Sequence, residues 1–125
     1  MTTVEVRDDG TIAPTAVGGA VPFAPEITIA ALKHMRARLG DDLFTRYGFL
    51  DAFNLTYPFD APVRHGRSVP GRGWIDGDHL GIDQGPILLM VENYRSDLVW
   101  RLMRQSPYVR EGLRRAGFTG GWLER

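Results

Sequence analysis

The sequence predicts an all-α fold of about three helices joined by long loops. Two segments carry apolar residues at helical spacing, each opened by a proline and closed by a glycine, and a third is apolar nearly all round. Strand-like alternation is limited to the brief Val4-Glu5-Val6.

Residues 1–24 are rich in Gly, Thr, Ala and Pro and read as extended or looped, with a turn at Asp9-Gly10. A helix is expected over 25–39. Pro25 suits the first turn, Glu26 favours the positive helix end, and Ile27, Ala31, Leu32, Met35 and Leu39 form its apolar stripe before Gly40 stops it. Asp41 to Tyr47 has room for a short helical turn. From 48 to 85 prolines and glycines recur throughout, and an ordered loop of that length in a small domain is usually functional. Pro86 is read as opening a helix over 86–105, whose apolar first half predicts an inner, buried position. Ser106 then caps a last helix over 107–116, with Val109, Leu113 and Ala116 on its stripe and Gly117 as its stop.

At 125 residues the chain allows one modest domain, burying roughly two thirds of its unfolded surface. Its 43% hydrophobic and 24% charged content fits a soluble globular protein. Fifteen basic residues balance fifteen acidic ones, so no general electrostatic drive toward nucleic acid or an anionic membrane is expected. Lys33 is the sole lysine, which reads as coding bias. The absence of cysteine excludes disulfides and thiolate zinc sites. The start lacks a basic-then-apolar leader pattern, and the longest apolar run, Ile87 to Val91, is too short to span a bilayer. As written, the chain is expected to be soluble and untargeted.

Two stretches carry the chemistry: Tyr47-Gly-Phe-Leu-Asp-Ala-Phe-Asn54 and Gly81-Ile-Asp-Gln-Gly-Pro-Ile-Leu-Leu-Met-Val-Glu-Asn-Tyr94. Each sets carboxylates and amides among large apolar and aromatic side chains, where an unpartnered polar group costs several kcal/mol. Asp51, Asn54, Asp83, Gln84, Glu92 and Asn93 therefore read as groups that are fully hydrogen-bonded or that line a polar cleft, and aromatic faces beside them suit a sugar. Glu92 is either a buried carboxylate paired with Arg95 or Arg101, or a cleft group. Asp83 has a capping role open to it at the helix entrance, compatible with ligand contact. For Asn54 a tight-turn role is the plainer account. Asp76, Asp78, His79 and Asp83 fail the spacing of a calcium loop, and His34, His65 and His79 lack zinc spacing, so a turn and solvated surface explain them better and no metal or cofactor is expected. There is no Gly-x-Ser-x-Gly elbow and no phosphate-binding glycine loop. Arg101, Arg104, Arg110, Arg114, Arg115 and Arg125 read as a solvated outer helix face.

Four motifs, in order, resemble the C-terminal part of bacterial glucoamylase-like (glycoamylase) domains: Ala20-Val-Pro-Phe-Ala-Pro-Glu26, Tyr47 to Asn54, His65-Gly-Arg-Ser-Val-Pro-Gly-Arg-Gly-Trp74, and Leu80 to Arg95. The similarity runs from about Gly10 to Phe118. Relatives of that family include β-1,2-glucan hydrolases and the glycan-processing region of cyclic β-1,2-glucan synthases. The resemblance implies a partial (α/α)6 toroid, with 86–105 as an inner helix, 107–116 as an outer one and 48–85 at the cleft mouth. Such toroids use twelve helices, so this chain resembles the last third of one. Ala20 stands where the motif is expected to hold serine. Glycosidic cleavage needs two carboxyl groups. Asp83 and Glu92 are the candidates for acid/base work, Tyr47 and Trp74 for stacking on a sugar ring, and Asp51, Asn54, Gln84 and Asn93 for binding. The implied partners are a glucan or oligosaccharide and the missing N-terminal portion of the toroid. Family members are often exported or membrane-associated. A sugar-binding module without catalysis and a subunit completing a split toroid are the alternatives.

Overall fold

A computed structural model describes residues 8–58 and 62–124. The Val4-Glu5-Val6 alternation and Arg125 lie outside the described residues. Five helices dominate: α1 (Pro14–Gly19), α2 (Pro25–Leu39), α3 (Gly81–Ser96), α4 (Leu98–Gln105) and α5 (Pro107–Arg115). Two small antiparallel sheets depart from the all-α expectation. One is the hairpin β1 (Phe44–Thr45) with β2 (Gly48–Phe49). The other has strand order β3 (Phe53–Asn54), β5 (Gly73–Ile75), β4 (Arg67–Val69).

These strands are two or three residues long, too short to show a period of two in sequence. β2 to β5 lie inside the segment read as a loop over 48–85, and β1 lies in the 41–47 stretch read as room for a helical turn. Their register is nevertheless specific. Phe53 and Asn54 face Ile75 and Trp74, and Ile12 bridges to Phe53 by reciprocal backbone bonds of 2.8 and 2.9 Å. Leu39, Leu43, Phe49, Leu50, Phe53 and Ile75 form the core, so the end of α2 packs against both sheets. Asp42 fixes this corner: Oδ1 accepts from Arg67 at 2.7 Å and Oδ2 from Arg72 at 2.8 Å, while Arg72 also reaches the Leu39 carbonyl at the end of α2.

The N-terminal 1–24 segment also departs from expectation, because α1 forms within it. Pro14 occupies its first turn, and its short Thr-Ala-Val-Gly-Gly run offers little periodicity to read. Gly18 lets α1 lie on α3: a Cβ there would come 2.7 Å from Ile87 Cγ1.

The helix expected over 86–105 is in fact two. α3 begins five residues earlier, at Gly81, so that Pro86 sits inside it, and it ends where Asp97 turns left-handed at φ 57. No glycine or proline marks that break. The Asp97 carboxylate is tied to Arg104 of α4. Asn93 Oδ1 accepts the Trp100 N–H at 2.9 Å, serving the free first-turn donors of α4 from the preceding helix. α5 ends at Arg115, with Ser106 Oγ accepting from Val109 N at 3.4 Å.

The burial expected of α3 is also reversed. Its buried residues are Asp83 and Asn93, whereas Ile82 is 79% and Leu88 70% exposed and Leu89 is exposed as well. Polar groups inside and leucines outside leave an apolar face of α3 uncovered. The arginine-rich end is less purely solvated than expected: Arg114 donates to the Leu123 carbonyl at 2.8 Å, and Arg110 lies over the Trp122 ring.

Candidate functional site

The predicted site residues separate into three places. Tyr47, Asp51, Asp83 and Gln84 gather at the mouth of α3. The ladder between β3 and β5 continues past the strands, with Asp76 N donating to the Ala52 carbonyl at 2.9 Å and Asp51 N to the Asp78 carbonyl at 3.0 Å. This draws Asp51 to the chain segment that leads into α3. Gln84 Nε2 donates to the Phe49 carbonyl at 2.6 Å and ties the helix mouth to β2. Gly48 makes room for it: at φ 103, a Cβ there would stand 3.0 Å from Gln84 Oε1. Tyr47, Gln84, Ile87, Leu88 and Val91 line an open groove of about 390 Å³. The Tyr47 ring takes the His79 ring edge-on at 5.8 Å, and His79 Nε2 lies 2.9 Å from Thr45 Oγ1.

Asp51 and Asp83 are the chemical centre of this mouth. Asp83 is 9% exposed, and its Oδ2 has no hydrogen-bond partner among the described residues. Asp51 is pushed up to about 6, first by burial, then by a hydrogen bond to Asp83 and the charge of Asp83, and further by Asp76 and Asp78. Carboxylate charge gathers around Asp51, and this favours its protonated form.

The sign of the effect on stability follows. Because the folded pKa lies above the unfolded one, protonation of Asp51 stabilises the fold fully below about pH 4, and this is lost as pH rises through about 6. Asp51→Asn keeps a donor toward Asp83 and removes the charge. It is expected to be more stable than the parent at pH 8, by about 1 kcal/mol once solvent screening is allowed for, with the gap closing toward pH 4. Urea unfolding at pH 4, 6 and 8 measures this, and equal or lower stability of the variant at pH 8 would contradict it.

Asn54 and Trp74 lie elsewhere. They pair across β3 and β5 and line a second hollow of about 340 Å³ with Asp9, Thr11, Tyr57 and Arg64 among others. Asn54 is fully engaged: Nδ2 donates to the Asp9 carbonyl at 2.7 Å, and Oδ1 accepts from Thr56 N at 2.9 Å and Thr56 Oγ1 at 2.7 Å. This is the turn role the sequence offered as the plainer account. Trp74 Nε1 donates to the His65 carbonyl at 2.7 Å.

Glu92 and Asn93 form the third place. Glu92 lies nine positions after Asp83, which at about 100° per residue puts it about half a turn out of phase and about 13 Å along the helix. It shares the open face with Leu88 and Leu89, accepts from Ser96 Oγ at 2.5 Å and lies 3.8 Å from Arg95. The expected burial of Glu92 is therefore not found; its pairing with Arg95 is. Asn93 is spent on α4, as above. Asp76 and Asp78, which the sequence offered only as turn residues, do form a turn, with Asp76 Oδ1 accepting from Asp78 N at 3.1 Å, but they also add to the field on Asp51. The sequence carried no signal for that second role, which depends on the fold bringing them to Asp51. Among the described residues, no group of three or more His, Cys, Asp or Glu could hold a metal ion. No described helix is long and apolar enough to cross a membrane.

The family model called Glycoamylase, described as "Putative glucoamylase", matches residues 1–107. The chain belongs to the glycoamylase family. Among glycoamylase relatives, it is 34% identical over 109 residues to an exo β-1,2-glucooligosaccharide sophorohydrolase of Parabacteroides distasonis, covering 87% of this chain. A solved structure from Bacteroides uniformis that carries the same description as the family shares 43% identity at a TM-score of 0.73. An endo-β-1,2-glucanase from Chitinophaga pinensis, solved with sophorotriose and glucose, shares 36% at the same TM-score. Both solved structures match over 93% of this chain. The chain spans only 13% of the sophorohydrolase and 24% of each solved structure. This glycoamylase-family chain thus has relatives that are β-1,2-glucan hydrolases several times its length.

Proposed function

We propose that this chain forms one wall of the glucan cleft of a glycoamylase-type glycoside hydrolase, corresponds to the C-terminal part of its helical toroid, and is catalytically incomplete alone. The observation that carries this is the spacing of its carboxyl groups. Glycoside hydrolysis uses two carboxyls about 5–5.5 Å apart with retention or about 6.5–9.5 Å apart with inversion. Asp51 and Asp83 are within hydrogen-bonding reach of each other, too close for either geometry. Glu92 is on the opposite side of α3 from Asp83. In this reading one acid comes from the Asp51–Asp83 mouth and its counterpart from outside these residues. Asp83 is the group proposed to meet the substrate, Gln84 and Tyr47 to hold the sugar beside it, and Trp74 to offer a second stacking surface. Asn54 and Asn93 support the wall through the bonds they already make.

The substrate class proposed is β-1,2-linked glucan, by the names of the relatives. Titration of the labelled chain with sophorotriose, and with β-1,4- and α-1,4-linked trisaccharides as controls, tests the cleft. Saturable shifts of the Tyr47 and Gln84 signals with the β-1,2 sugar are expected; equal response to all three sugars, or none, would contradict the reading. The apolar outer face of α3 favours a second statement of the same idea, in which a separate polypeptide supplies the remaining helices.

A further inference from the structure

Asp83 poses a physical problem that the cleft reading does not solve. Its carboxyl is more than nine-tenths buried, Oδ2 receives no donor from the described residues, and a buried acceptor left unpaired costs about 1–3 kcal/mol or more when charged. The group that meets it, Asp51 from the bend between β2 and β3, brings more negative charge rather than relief, and Asp76 and Asp78 of the segment after β5 add their charge to Asp51. His79, next along, is engaged by Thr45 and by the ring of Tyr47, and Arg46 lies over that ring at 4.7 Å. The main chain at Asp51 is held in place, its N–H bonded to the Asp78 carbonyl.

We propose that Asp51 is the positioning partner of Asp83: a proton carried by Asp51 is donated to the Asp83 carboxylate and holds that carboxylate in one orientation at the mouth of α3. The pair then carries one negative charge instead of two. The orphaned acceptor gains a donor without a cation, and the mouth presents a carboxylate whose direction is fixed rather than rotating. A ligand rich in hydroxyl groups is met by an acceptor already aimed at it, which lowers the entropy lost on binding. The raised pKa of Asp51 agrees with this arrangement, because burial and the bond to Asp83 both favour its neutral form. The proposal deepens the cleft reading and rests on it only for what the oriented carboxylate is used for.

The test is a pH titration of the Asp side-chain carboxyl carbons by NMR on the whole chain, with Asp51→Asn and Asp83→Asn for assignment and amide spectra to confirm that each variant is folded. Asp51 is expected to titrate at about 6 in the parent and distinctly lower in Asp83→Asn, staying above the ordinary range because burial persists. Asp78→Asn, which removes charge but no bond, is expected to lower it less. An Asp51 that titrates in the ordinary range in the parent, or that is unmoved by Asp83→Asn, overturns the pairing. A second readout separates orientation from mere stability: sophorotriose binding measured from pH 4.5 to 8. Binding by the parent is expected to weaken as pH passes through about 6, while Asp51→Asn, which keeps a donor, binds with little pH dependence and Asp51→Leu binds weakly throughout. Equal binding by Asp51→Asn and Asp51→Leu overturns the positioning role. Absence of sugar binding in every protein, with the titration as expected, sinks the cleft reading and sustains the shared proton.

Discussion

Gly73→Ala is expected to abolish the folded state. Gly73 sits at φ 83 at the start of β5, the central strand, and a Cβ there would lie 2.1 Å from the Asn54 carbonyl oxygen and 2.8 Å from Leu55 Cα. Both obstacles are backbone atoms, of β3 and of the residue that follows it, so no side chain can rotate to make space. The left-handed conformation adds about 1–3 kcal/mol for a residue with a side chain. Relief requires β5 to leave β3, and β5 carries Ile75, which is 0% exposed and part of the core. Losing that packing costs about a further 2–5 kcal/mol, by comparison with truncation of a buried isoleucine. A domain of this size has about 5–15 kcal/mol in total. Circular dichroism and urea titration would show a chain without a cooperative transition at 25 °C. A variant that unfolds within 1 kcal/mol of the parent would mean that the β3–β5 register is wrong.

Ile82→Asp combined with Leu89→Asp is expected to leave the chain itself intact and to destroy its assembly with the remainder of a toroid. Both side chains are exposed on α3, and neither lines the Tyr47 groove, so surface substitution there changes stability by about 0.5 kcal/mol or less. Each apolar side chain covered by a neighbouring helix contributes about 1.5–3 kcal/mol, and an unpaired carboxylate in its place opposes burial further. Together they amount to a loss of at least about 10²-fold in association. The measurement is co-purification of the tagged chain with the remaining portion of the Bacteroides uniformis relative. Equal recovery with parent and double variant would move the docking surface off α3.

The family and the helical character were legible in the residues, because ordered motifs such as Tyr47 to Asn54 and Leu80 to Arg95 carry the first and apolar spacing carries the second. The sheets were not. Two- and three-residue strands hold together through backbone bonds and glycines such as Gly73, which leave no periodic trace. Pro86 misled the reading of α3, since a proline at the sixth position of a helix looks the same in sequence as one at the first. Asp97 ends that helix in a left-handed conformation where glycine would have been visible. Within the site, the sequence picked out Asp51 and Asp83 as polar residues in apolar surroundings, but it coupled Asp83 with Glu92. The ladder beyond β3 and β5 and the Gln84 bond to the Phe49 carbonyl bring Asp51 to the mouth of α3, and pairings between distant segments cannot be read from local spacing. Glu92 was singled out for its apolar neighbours, and those neighbours prove to be the exposed face.

The most direct test is release of sugar from β-1,2-glucan by the purified chain, alone and after mixing with the remaining portion of the Bacteroides uniformis relative. No turnover is expected from either part alone, with activity appearing on mixing and falling away with Asp83→Asn. Turnover by the 125-residue chain alone at an ordinary enzymatic rate, about 10 per second, would show that both carboxyl groups lie within it and would contradict the account.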